Sequence, residues 1–112
     1  MTELDPQDEK LVTLARASMA RIGADHGAAV RDTDGRSYAA GPVALTCLAI
    51  GALDLAVAQA VSAGATGLEA AVYVTADDKP TVSVAAVREV GGEGVVVYVA
   101  NPHGDVVQVL TT

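Results

Sequence analysis

The order of elements written into this chain predicts an α/β protein: a three-layer α/β/α sandwich with helices on both faces of a mixed five-stranded sheet. Three observations carry that prediction. A capped helix opens the chain, an Asp-Gly turn joins two short extended runs after it, and three Val-rich strands follow, set off by Gly/Pro breaks.

Asp5-Pro6-Gln7-Asp8 reads as a helix start, with Asp5 as N-cap, Pro6 at the first helical position and acids facing the positive end of the dipole. Leu11, Leu14/Ala15, Met19 and Ile22 recur at helical spacing, and Gly23 is the stop, giving a helix over 6–22. Extended runs 28–31 and 36–40 flank Asp32-Thr33-Asp34-Gly35, a hairpin turn in which Gly accepts positive φ without penalty. Gly41-Pro42 breaks the second run. A long second helix is then expected over 43–63, with Asp54, Gln59 and Ser62 forming its small polar stripe. A helix apolar nearly all round is buried on more than one side, so this one is expected to pack on the sheet and against another subunit.

Gly64-Ala65-Thr66-Gly67 ends that helix, and 68–75 (LEAAVYVT) reads as a central strand with both faces covered. Asp77-Asp78-Lys79-Pro80 is a turn. Segment 82–90 fits helix or strand, because its valines favour one and the Ala85-Ala86 and Arg88-Glu89 spacing the other. Gly91-Gly92-Glu93-Gly94 closes it and is no phosphate loop, since a strand follows instead of a helix carrying Lys-Ser/Thr. Strands at 95–100 and 105–110 flank the turn Asn101-Pro102-His103-Gly104.

Composition agrees with one domain over 1–112, its acidic start at 1–5 expected to be flexible. The chain is 51% hydrophobic, too apolar for disorder, and its single Cys excludes a disulfide scaffold. With 22 Ala and 18 Val, and neither Trp nor Phe, the core is built from small and β-branched side chains. Seven Lys+Arg against fourteen Asp+Glu give a net charge of -7, the wrong sign for nucleic acid or an anionic membrane. Between 43 and 65 the only formal charge is Asp54. At the centre of a span that charge would cost about 2.5–3.5 kcal/mol, so a soluble helix is expected. The acidic opening lacks the basic and apolar regions of a signal peptide, and the expected location is cytoplasmic.

Four stretches in order, LARASMA (14–20), GAAVRDTDGRSYAAG (27–41), AVSAG (60–64) and VYVANPHGDVVQ (97–108), together resemble the small cytidine deaminase family. The resemblance implies that family's fold. Zinc deaminases hold the metal through an [HC]-x-E motif and two Cys of P-C-x-x-C, and the Glu moves protons. Three ligands leave one position for a water whose pKa the metal lowers.

Anchored on AVSAG, the family's first zinc ligand falls at Gly51 and its Glu at Leu53, with Asp54 where a basic residue is common. Anchored on VREV (87–90), its two cysteines fall at Val84 and Val87 and its Pro at Ser83. The family's ribose-binding Asn and Glu have no counterpart in Gly41-Pro42-Val43-Ala44-Leu45. Cys47, one helical turn before Gly51, has no second or third Cys to join it and is expected to be inert packing. His26 and His103 are expected in turn or surface roles, and Asp54 on the solvent stripe or as a polar remnant of the pocket. Asp32/Asp34 and Asp77-Asp78 are expected to serve turns and not a metal.

The resulting expectation is a cytidine deaminase-like pseudoenzyme, not an enzyme, with no catalytic residue, no metal and no cofactor. Gly51, Leu53, Val84 and Val87 would mark the vestigial pocket. The resemblance implies a dimer or tetramer assembled through 43–63, acting as a scaffold or as a binding module for an unidentified protein. The alternative is a metal-free binder of a nucleoside or other small metabolite.

Overall fold

The computed structural model describes residues 4–112. Helix α1 (Pro6–Arg21) begins as its sequence dictates: the Asp5 carboxylate accepts the Asp8 N–H at 2.9 Å, and the helix closes at Ile22 before Gly23 with φ 62°. Residues 1–3 of the acidic start lie outside the described residues, whereas Leu4 packs against the core and Asp5 caps α1. Strands β1 (His26–Asp32) and β2 (Ser37–Ala40) form the hairpin, with Val30 opposite Tyr38.

The expected helix over 43–63 is corrected. Its first part is a small exposed hairpin, β3 (Val43–Ala44) and β4 (Ala49–Ile50), and helix α2 spans only Ala52–Ser62. Uncharged apolar residues mask the boundary, because strand and helix share the same hydrophobic signal over short runs. Cys47 consequently stands exposed in the loop of that hairpin instead of being packed within a helix.

Strand β5 (Leu68–Thr75) matches the run read from the sequence, and the open choice at 82–90 resolves as helix α3 (Ala85–Gly91). Ser83 Oγ accepts the Ala85 N–H at 3.3 Å just ahead of that helix, whose N-cap is Val84. Strands β6 (Val96–Ala100) and β7 (Val106–Thr111) complete one five-stranded sheet ordered β2-β1-β5-β6-β7. Only the β5–β6 pair is parallel, so the sheet is mixed as expected.

Alternation along the strands divides the core between two faces. Leu11, Val12 and Ala15 of α1 pack on Ala29, Val72, Val74 and Ala100. On the other face α2 and α3 bring Leu53, Ala56, Val57, Ala60 and Val87 against Ala28, Val30, Ala71 and Val97. Small side chains allow the helices to sit close. At Gly27 the approach is so tight that a Cβ would collide with the Ala15 carbonyl oxygen of α1.

A polar cluster also fixes α1. Arg31 Nη1 lies 3.0 Å from Asp8 Oδ1, Arg31 Nε donates to Glu69 Oε1, and Tyr98 Oη donates to Asp8 Oδ2 at 3.0 Å. Arg31 and Asp8 meet as an ion pair without an aligned hydrogen bond between Nη1 and Oδ1. Burial lowers the guanidinium's proton affinity, but Glu69 and Asp8 more than restore it.

Candidate functional site

The first turns of α2 and α3 rest on the same side of the sheet, and the positions singled out in the sequence fall there. Leu53 and Val87 are buried and Val84 is half-buried, all three in one apolar cluster with Tyr38 and Tyr73. Gly51 is the exposed N-cap of α2 and has no side chain to bond the first amides, with open space where a Cβ would point. Asp54 is exposed in the first turn of α2, where its charge suits the positive end of the helix dipole. The structure therefore joins Leu53, Val84 and Val87, sets Gly51 at the start of α2, and leaves Asp54 toward solvent.

Sequence reasoning missed the polar group at this end of α2. His26 Nδ1 is 2.7 Å from Asp25 Oδ1, and His26 Nε2 accepts the Ala52 N–H at 3.3 Å. The tautomer that satisfies both contacts donates from Nδ1 to Asp25 and accepts the Ala52 N–H at Nε2. The imidazole lies 5.4 Å from the Tyr73 ring, tilted by 43°. His26 thus supplies from β1 the cap that Gly51 lacks, a role that only tertiary structure reveals. The hydrogen bond from His26 holds the Asp25 carboxyl below its ordinary value. Burial, then the Asp25 charge, pushes the Tyr73 phenol above its own. His103, by contrast, is exposed in its turn as expected.

Two of the four aspartates read as turn residues, Asp32 and Asp77, bond the backbone of their turns. Asp32 Oδ1 accepts the Asp34 and Arg36 N–H groups at 2.9 Å each, Tyr38 Oη donates to Oδ2 at 3.0 Å, and Asp77 Oδ1 accepts the Lys79 N–H at 3.0 Å.

A profile of cytidine deaminase-like proteins matches residues 4–104, and the chain belongs to that family. The fold is that of solved cytidine deaminases. The enzyme from Burkholderia pseudomallei superposes with a TM-score of 0.76 at 23% identity, covering 99% of this chain and 93% of the other. That from Mycobacterium leprae gives 0.68 at 21%, covering 96% and 94%, and a mutant of the Mycobacterium tuberculosis enzyme gives 0.67 at 22%, covering 85% of each. No curated protein sequence matches the chain. The expectation that this protein is not an enzyme is corrected by these findings: its family is cytidine deaminase-like, and these three similar solved structures are cytidine deaminases.

Zinc, which the family resemblance implies, does not fit the residues at this end of the sheet. Gly51, Leu53, Val84 and Val87 carry no donor atom on their side chains, and among the described residues no three His, Cys, Asp or Glu side chains are grouped to hold a metal. The polar groups at this end include the His26 imidazole, the Asp25 and Asp54 carboxylates, the Tyr73 phenol and the first amides of α2.

No helix among the described residues is long and apolar enough to cross a membrane.

Proposed function

We propose that this cytidine deaminase-like protein works as a self-associating module, joined to further copies of itself through the β3–β4 hairpin and the outer face of α2. The observation that carries this reading is an exposed apolar surface on which Asp54 is the sole formal charge. Leu45 is 66% exposed, Leu48 54% and Val61 50%. Beside them Leu55, Ala58, Gln59, Ser62 and Ala63 line an open depression on α2.

Over 37–68 the sole formal charge is Asp54, in a chain whose net charge is -7. Two copies of an acidic protein can bring this surface together while their remaining carboxylates stay apart. A two-fold contact needs one self-complementary patch, and a face of small residues around a few protruding leucines satisfies that. Such assembly is compatible with catalysis. The metabolite-binding reading draws less support, because Leu53 and Val87 are committed to the core.

Size-exclusion chromatography with light scattering, run at tens of micromolar, tests the proposal. A mass of two or four chains is expected. A strictly monomeric protein overturns it.

A further inference from the structure

We propose that Asp25 and His26 form a protonation-sensitive latch on the first turn of α2, closed while the imidazole is neutral and open once it is charged. Two independent features support it. Helix α2 has no side-chain cap of its own, since Gly51 occupies the N-cap position, and the bond from the Ala52 N–H to His26 Nε2 takes that place. Asp25, bound to Nδ1, fixes the ring so that Nε2 is the nitrogen aimed at the helix.

Protonation reverses the polarity of this contact. A charged imidazole has only donors, so Nε2–H would face the Ala52 N–H, and its charge would oppose the positive end of the helix. The groups around the ring are few. The segment before β1 brings Asp25, β5 brings the Tyr73 phenol and Thr75, and Asp77 lies just beyond β5 within electrostatic reach of Tyr73. From α2 come the first amides and Asp54, and the β3–β4 hairpin carries no charge.

Asp25 acts in the opposite sense to the helix: it stabilises the charged ring and keeps it beside α2 after the latch has opened. Because Gly51 alone separates β4 from α2, opening also frees the hairpin that presents Leu45 and Leu48. That last coupling rests on the self-association reading, whereas the latch itself does not.

The test follows the Ala52 backbone amide and the His26 ring together by NMR, from acidic to neutral pH, where imidazoles change charge. In the wild-type chain both signals should move with one midpoint. Protection of the Ala52 amide from exchange should fall about three- to tenfold on protonation, as loss of one neutral hydrogen bond requires. Asp25→Asn, at an exposed position, replaces the carboxylate that fixes the ring and should weaken the link between the Ala52 and His26 signals. His26→Gln keeps an acceptor without a titrating ring and should abolish the transition at Ala52.

Unchanged Ala52 protection while the ring titrates, or a transition that survives in His26→Gln, overturns the latch. Light scattering at the two pH extremes separates the readings. A chain monomeric at both, with Ala52 still following His26, removes the assembly reading and leaves the latch standing.

Discussion

Asp32 shows how much a buried carboxylate can organise when every oxygen is used. Burial raises its proton affinity, but the Arg36 N–H, the Tyr38 hydroxyl and the Asp34 N–H more than compensate and hold the carboxyl below its ordinary value. A depressed folded value stabilises the fold above the ordinary aspartate range, and that stabilisation is lost as pH falls through the folded value. The β1–β2 turn should therefore loosen below about pH 4. Asp32→Asn should flatten the acid limb of a stability-versus-pH curve while lowering the plateau at neutral pH; an unchanged acid limb would contradict this.

Arg31 is the matching case among cations, since it alone joins Asp8 of α1 to Glu69 of β5. Arg31→Met removes the cation beside the Asp8 carboxylate and should cost about 3 kcal/mol in urea unfolding, the low end for breaking a buried pair because Tyr98 still donates to Asp8 and Glu69 is partly exposed. At Gly27 the constraint is steric. Gly27→Ala should cost about 1–3 kcal/mol, because the Ala15 carbonyl belongs to backbone that cannot swing aside.

Among the elements, those defined by punctuation were legible and the one defined by its surroundings was not. Asp5-Pro6, Asp34-Gly35 and the Gly/Pro breaks locate α1, the β1–β2 hairpin and β5 in the sequence to within a few residues. Over 43–51 no charge or strong breaker separates the small hairpin from α2, so an unbroken apolar run reads as one helix. Two signals did mark the boundary. Gly51 is a permissible N-cap, and Asp54 is an acid in the first turn of a helix that starts at Ala52. At 82–90 the β preference of Val82 and Val84 opposed the helix, and Ser83, which bonds the Ala85 N–H, is the polar residue at its start.

The weak cap suggests its own test. Gly51→Ser, with backbone already extended and space for the side chain, should stabilise the fold by a few tenths of a kcal/mol in denaturant titration. A loss of stability would show that the His26 contact needs a bare Gly51.

For the whole molecule, the sandwich and its sheet followed from the sequence, while the chemistry at the start of α2 did not. Asp25 and His26 are neighbours in sequence, yet their partner Ala52 is brought to them only when α2 packs on the sheet. The resemblance placed the family's metal positions at Gly51, Val84 and Val87 and its Glu at Leu53 as an expectation; Leu53, Val84 and Val87 lie in one apolar cluster. Added Zn²⁺ should consequently leave Tm unmoved, whereas a ligand at a hundred times its Kd adds about 2.7 kcal/mol. A zinc-dependent rise would reveal donors other than those grouped here.

The most direct test of the assembly is sedimentation equilibrium of the wild-type chain beside a Leu45→Ser/Leu48→Ser variant. Both leucines are more than half exposed, so their loss should leave the fold intact by circular dichroism. The wild-type chain should sediment as a dimer or tetramer and the variant as a monomer, or associate at least tenfold more weakly, corresponding to about 1.4 kcal/mol. Equal association of the two proteins would contradict assembly through this surface.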